Sequence, residues 1–218
     1  MKNVRVWFTK DGAARYISHL DLNRCMTRAV YRSKLPIWYT EGFNPHPFMT
    51  FSLPLSLGFR GRRESMDIRL LQDVCKEEAI EKLNACLPKG IRVFDVTEPQ
   101  MKPGRISYAL FTIKLFSEEC GAQQIADALS RLLSQDEIMV EKKSKSGIKE
   151  VDLKEQICRY ESRVEEDAVW FEALLPAGNT ANVNPGLLIE ALRRVMGKGL
   201  CADITREELY NEEVEPFC

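Results

Sequence analysis

Histidine is scarce in this chain, with only His19 and His46 among 218 residues. Two imidazoles cannot build a typical three-ligand zinc site without carboxylates or thiolates. Seven cysteines are present (Cys25, Cys75, Cys86, Cys120, Cys158, Cys201 and Cys218), but none stands in a CxxC or CxxxCxxC spacing. A zinc ribbon or iron–sulfur site built from local sequence is therefore unsupported, and no cofactor is expected in this chain. Odd in number and widely spaced, the cysteines read as free thiols of a reducing cytoplasm. No apolar run approaches the ~20 residues of a membrane helix, so no membrane is expected as a partner. The start, Met1-Lys2-Asn3-Val4-Arg5-Val6-Trp7-Phe8, lacks the long apolar core and cleavage site of a signal peptide and reads as a strand. GxSxG, Walker A and GxGxxG patterns are missing, so no catalytic set is complete.

Charge is balanced in total, at −1, but not in distribution. Residues 1–69 hold 12 Lys and Arg against 5 acids, a net +7, which leaves −8 to residues 70–218. A basic front and an acidic back predict an anionic partner for the front, such as nucleic acid. The back half should be repelled by that partner except where it is locally basic, as at Lys142-Lys143-Ser144-Lys145.

Periodicity predicts the elements. Val4–Thr9 is β-rich. Ser18 is a helix N-cap with Asp21 in the capping-box position, where Glu or Gln is more usual. At ~100° per residue, Leu22, Cys25, Met26, Ala29 and Val30 gather on one side of that helix and Arg24, Arg28 and Arg32 on the other. Pro36 should end it. Ile37–Thr40 reads as a second strand, Gly42–Arg63 as a long loop, Glu64–Leu71 as a third strand, Lys76–Leu87 as a helix and Ile91–Val96 as a fourth strand. The order β-α-β-β-α-β is the ferredoxin-like unit. After a linker at Pro99–Gly104 the pattern returns. Ser107–Phe116, Glu137–Lys142, Val151–Tyr160, Ala168–Leu175 and Leu200–Thr205 read as strands. Ala122–Leu133 and Pro185–Val195 read as helices, the latter capped by Asn184 with Pro185 in first position. Hydrophilic tips are expected at Lys143–Lys149 and Glu165–Asp167. The expected fold is α+β, with two tandem ferredoxin-like domains: 1–99, basic, and 104–218, acidic with an extra strand.

Candidate chemistry concentrates between Arg15 and Arg69. In Gly42-Phe43-Asn44-Pro45-His46-Pro47-Phe48, two prolines bracket His46 and restrict the backbone on both sides. Such a histidine either closes a rigid loop through its own backbone bonds or faces a ligand, stacking with Phe43, Phe48 and Phe51 against bases. His19, just inside the Ser18 cap, lies where free backbone N–H groups attract an anion, with Arg15 and Tyr16 before it. The same histidine, near Met26 and Val30 on the wheel, could equally be half-buried. The row Arg24, Arg28, Arg32 is either a solvated face or, with Arg60, Arg62 and Arg63, a phosphate surface. Gly58 and Gly61 would let the basic loop close on a ligand. These residues, with Asn44, are the candidate RNA-binding set. No catalytic residue is assigned; His19 and His46 together could serve as acid and base in RNA cleavage through the 2′-hydroxyl. In the back half, Asn179–Gly186 is either an anion site before a helix or a plain connection.

The segments RYISHLDLNR, EGFNPHPFMTFSLPLSLG and ESMDIRL resemble the hallmark segments of the bacterial radical-SAM-linked family, and VDLKEQI and NPGLLIEALRRVMG extend the likeness toward residue 205. The resemblance implies a radical SAM protein of the B12-binding type as partner. It also implies a role in modifying RNA or another macromolecule, with the iron–sulfur cluster and S-adenosylmethionine on the partner. A tandem ferredoxin-like order with a histidine early in the first helix is also similar to the Cas6-like RNA-processing endonucleases. Their C-terminal glycine-rich loop is poorly matched by Gly197-Lys198-Gly199. The expected function is therefore a non-catalytic RNA-binding or substrate-recognition partner of a radical SAM enzyme. The alternatives are a metal-independent endoribonuclease using His19 and His46, and a protein-docking module for the radical SAM partner.

Overall fold

The computed structural model describes residues 1–144, 147–178, 180–197 and 199–218, and it is a mixed α+β protein. Lys145, Asn179 and Lys198, which the sequence placed in a basic tip, a possible anion site and a glycine-rich pair, lie outside the described residues. Two compact units are present: Met1–Ile106 with Pro216–Cys218, and Ser107–Glu215.

The first unit runs β1 (Lys2–Lys10), a 3₁₀ turn (Gly12–Tyr16), α1 (His19–Arg32), β2 (Met49–Phe51), β3 (Arg60–Leu70), α2 (Lys76–Asn84) and β4 (Ile91–Thr97). Its antiparallel strands lie in the order β4-β1-β3-β2. Val4, Val6 and Phe8 of the central strand point to the helices and pack with Leu22, Met26 and Val30 of α1 and Ala79 and Leu83 of α2. Each valine, leucine, methionine or phenylalanine among them, fully buried, contributes ~1.5–3 kcal/mol. The opposite face of β1 carries Arg5 and Trp7. There the fully buried ring of Phe217 meets Trp7 edge-on at 6.2 Å and sits under the Arg5 guanidinium at 4.2 Å.

Helix α1 starts as its sequence predicts. The Asp21 backbone N–H donates to Ser18 Oγ at 3.1 Å, and Ser18 Oγ donates to Asp21 Oδ2 at 2.7 Å, so the aspartate holds the capping hydroxyl in place. It ends at Arg32 and not at Pro36, because Ser33 turns its hydroxyl onto the Val30 carbonyl and Lys34 takes φ +55°.

The predicted strand Ile37–Thr40 does not form. Ile37 and Tyr39 make only isolated bridges, to Leu70 and Pro47, and the second strand of the unit is Met49–Phe51. The ladder between 37–40 and 46–48 keeps two bonds, Thr40 N–H to His46 O and Phe48 N–H to Trp38 O, because the Trp38 N–H donates to the Arg69 carbonyl and the His46 N–H to the Thr40 hydroxyl. The basic residues Arg60, Arg62 and Arg63 belong to β3 and not to a loop. Gly61 is consequently no hinge. It faces Lys10 in the ladder, where a Cβ would stand 2.4 Å from Glu64 Cγ. Its lack of a side chain makes room for the buried Glu64 carboxylate.

The second unit runs β5 (Tyr108–Ser117), α3 (Ala122–Leu133), β6 (Met139–Ser144), β7 (Gly147–Asp152), β8 (Arg159–Glu165), β9 (Ala168–Pro176), α4 (Gly186–Met196) and β10 (Leu200–Tyr210). Its main sheet has the order β10-β5-β9-β8, and β6 and β7 form a separate hairpin. Val151–Tyr160 is not one strand. Residues 153–158 form a connection between β7 and β8, held where Asp152 Oδ1 accepts the Lys154 N–H at 2.8 Å. The β8–β9 hairpin turns at Glu166 and Asp167 as the sequence predicts, with Glu166 at φ +53°. Pro185 is itself the N-cap of α4; Asn184 Oδ1 instead accepts the Gly186 N–H at 2.8 Å. Among the described residues no helix is long and apolar enough to cross a membrane.

Candidate functional site

The first unit holds a cleft of about 1240 Å³. The exposed side of α1 forms one wall, the segment around His46 a second, and the turn after α2, Ala85 to Pro88, a third. All three residues of the arginine row line it, because their i, i+4, i+8 spacing puts them on the side of α1 turned away from the Leu22, Met26, Ala29 and Val30 core.

The three arginines are not equivalent. Arg24 pairs with Asp21 at 3.3 Å. Arg32 donates through Nη2 to the Cys86 carbonyl and so ties α1 to the turn after α2. Arg28 makes no hydrogen bond or ion pair among the described residues, and its guanidinium is the cation left for a ligand. Cys25 lies between these groups. Burial pushes its thiol above the usual range, and Arg32 and Arg28 partly oppose that. It is a protonated wall group and not an activated nucleophile.

His46 closes its own loop, the first of the two roles its sequence setting allows. Nδ1 lies 3.1 Å from the Asn44 carbonyl and 3.1 Å from Thr40 Oγ1, and the His46 backbone N–H donates to that same hydroxyl at 3.2 Å. A carbonyl can only accept, so the bond to Asn44 requires the proton on Nδ1. The ring is thereby tied to its own loop through Nδ1, and His46 is one of the residues lining the cleft. Pro45 and Pro47, on either side, also line it.

The sequence missed two tyrosines. Tyr31 on α1 and Tyr39 beside the Pro47 bridge both line the cleft, 63% and 39% exposed, and neither hydroxyl has a hydrogen-bond partner among the described residues. Tyr31 follows Arg28 by three residues, so the helical wheel that found the arginine row also carried it. Tyr39 was hidden by its expected place in a strand. The phenylalanines singled out in the sequence are used otherwise. Phe48 packs on Trp38 and lies under Arg69, Phe51 packs on Phe8 and His19, and Phe43 stands fully exposed at the loop tip.

The remaining candidates are not among the residues lining the cleft. Arg15 stacks on Tyr16, with its guanidinium 4.7 Å from the ring centre, and Arg60 pairs with Asp11 at 3.2 Å. Arg63 covers Trp7 at 4.3 Å, on the sheet face opposite the helices, and Arg62 is exposed on β3. His19 is half-buried with its ring 5.1 Å from Phe51 and its Nδ1 without a hydrogen-bond partner. Burial first, then the nearby Lys10, hold its imidazole below the usual range. Lys10 itself is buried and donates to the Ile17 carbonyl at 3.2 Å. Among the described residues no three His, Cys, Asp or Glu side chains are grouped to hold a metal ion.

Comparison with known proteins adds a family and little else. The model of a family described as "Uncharacterized protein conserved in bacteria (DUF2344)" matches residues 3–185. No curated protein matches the sequence. Among solved structures, the crystal structure of a Cbf5-Nop10-Gar1 complex contains a chain with TM-score 0.44 and 11% identity over 76% of this chain. This chain covers 42% of that one, less than half its length.

Proposed function

This chain belongs to that uncharacterized family conserved in bacteria, and on that footing we propose that it is a non-catalytic RNA-binding partner of a radical SAM enzyme. Its first unit would hold the RNA in the cleft between α1 and the His46 loop. The observation that carries the reading is the convergence in one cleft of Arg24, Arg28 and Arg32 with His46 and two exposed tyrosine rings. Guanidinium groups bind phosphate, and aromatic rings stack on unpaired bases. Among the described residues the only carboxylate lining the cleft, Asp21, is occupied by Arg24 and by Ser18, so an anion entering beside Arg28 meets no free negative charge there.

The radical SAM assignment rests on the resemblance of the segments around Ser18, Asn44–Pro47 and Glu64–Ile68. The B12-binding-type partner would carry the iron–sulfur cluster and S-adenosylmethionine, and this chain would present the RNA to it in a reducing cytoplasm. We read each unit as ferredoxin-like, because β4-β1-β3-β2 and β10-β5-β9-β8 repeat one strand order, the second interrupted by the β6–β7 hairpin.

Charge reversal of Arg28 alone, and of Arg24 with Arg28, tests the reading in a fluorescence-anisotropy titration with a structured cellular RNA. Affinity should fall, and the slope of log K against log salt should flatten by about 0.7 for each phosphate no longer neutralised. Unchanged affinity and slope would remove the cleft from RNA binding. A second reading is favoured by one residue. Phe43, fully exposed at the loop tip, is an apolar anchor of the kind used in protein docking. Co-purification with the radical SAM partner that survives high salt and fails in Phe43→Ala would assign the loop tip to that partner.

A further inference from the structure

We propose that the cleft selects single-stranded RNA over both duplex RNA and DNA, and that it does so through a hydrogen bond from a ribose 2′-hydroxyl to Nε2 of His46. This rests on the reading of the cleft as a nucleic-acid site and names what that site distinguishes. Three observations carry it.

The first is the fixed ring of His46. The tautomer that donates from Nδ1 to the Asn44 carbonyl presents Nε2 as a bare acceptor. A phosphate oxygen is also an acceptor and gains nothing from that lone pair. A hydroxyl proton does. The ribose 2′-hydroxyl is the donor that RNA has and DNA lacks. The ring is held by Thr40 as well as Asn44, and it is bracketed by Pro45 and Pro47, so little rotamer freedom is lost when the bond forms.

The second is the pair of tyrosines. Their rings are exposed and their hydroxyls unpaired among the described residues. An A-form duplex keeps its base faces stacked inside, so these rings have nothing to stack on in a duplex and a good partner in a splayed single strand. One side of Tyr31 is shared with Lys34, whose Nζ lies 5.3 Å from the ring centre, which strengthens a base–ring–cation stack.

The third is size. At about 1240 Å³ the cleft exceeds the roughly 300–1,000 Å³ typical of small-molecule sites and suits a short run of nucleotides.

The test is anisotropy with a labelled mixed-sequence hexaribonucleotide, the matching DNA, and a matching RNA duplex, each titrated with the intact chain and its variants. Wild-type protein should bind single-stranded RNA about tenfold more tightly than DNA, the size expected of one hydrogen bond to a fixed acceptor. His46→Ala should weaken RNA more than DNA and bring the RNA-to-DNA ratio close to one. His46→Gln, whose amide carbonyl can also accept, should restore part of the ratio. Tyr31→Ala with Tyr39→Ala should weaken RNA and DNA by a similar factor. Thermal melts show that each variant is folded. Equal binding of RNA and DNA by wild type, tighter binding of duplex, or an RNA-to-DNA ratio that survives His46→Ala would each overturn the proposal. If RNA and DNA bind equally and Arg28→Glu weakens both, the RNA-binding reading stands and only the selectivity is wrong. If no nucleic acid binds at all, both fall.

Discussion

At the scale of single residues, the strongest demands lie away from the cleft. Arg5 is fully buried, and its Nε and Nη2 donate to the two oxygens of Asp67 at 2.7 and 2.9 Å. A buried guanidinium without its carboxylate is an uncompensated charge, so Asp67→Ala should cost about 3–5 kcal/mol in a denaturant titration. A loss below about 1 kcal/mol would show that the Met101 carbonyl and the aromatic rings around Arg5 suffice. His19 makes a second residue-scale prediction. Its folded imidazole is held below the ordinary range, so between the folded and unfolded values the unfolded chain binds more protons than the folded one. Stability from this group is therefore complete above the ordinary imidazole range and falls as pH drops through it. His19→Gln should lose less Tm than wild type between about pH 7.5 and 5.5; an equal loss in both proteins would assign the effect elsewhere. The sequence placed His19 beside Met26 and Val30 on its helical wheel, which was enough to raise partial burial. It could not show the Phe51 ring or the buried Lys10, which come from other strands.

At the scale of elements, what was legible was what local chemistry decides. The Ser18 cap, the buried stripe of α1 and its arginine row all follow from residues within one helix. The stretch 37–51 was not legible, because the alternation of Ile37-Trp38-Tyr39-Thr40 cannot show that the Trp38 N–H goes to the Arg69 carbonyl and the His46 N–H to the Thr40 hydroxyl. Half of the candidate site was therefore readable and half was not. Arg24, Arg28, Arg32 and His46 were named from sequence, whereas Tyr39 and the Ala85–Pro88 wall enter only because the chain folds back on itself. Two substitutions test the elements that position the cleft. Ser18→Ala removes the cap of α1 and should destabilise the first unit by about 1 kcal/mol. Gly90 enters β4 at φ +91°, and a Cβ there would stand 2.5 Å from the Asp11 carbonyl oxygen. Gly90→Ala should cost about 1–3 kcal/mol, because both the backbone conformation and a backbone atom oppose it. A Tm unchanged by Gly90→Ala would contradict that geometry.

At the scale of the whole molecule, the uneven charge gains a place. The cations of residues 1–69 include some that serve the fold, with Arg5 and Arg63 against aromatic rings and Lys10 against backbone carbonyls, and the α1 row that borders the cleft. Net charge therefore overstates the binding surface, and Arg28 carries more of the expected affinity than the count of arginines would assign it. The acidic second unit carries the β6–β7 hairpin and an exposed edge strand, β8. Ultraviolet crosslinking of the intact chain to cellular RNA, with the modified peptides identified by mass spectrometry, tests the central claim most directly. The account predicts nucleotide adducts on Tyr31 or Tyr39, in peptides that border the cleft, and their loss in Arg28→Glu. Adducts confined to Ser107–Glu215, or none on the intact chain, would contradict it.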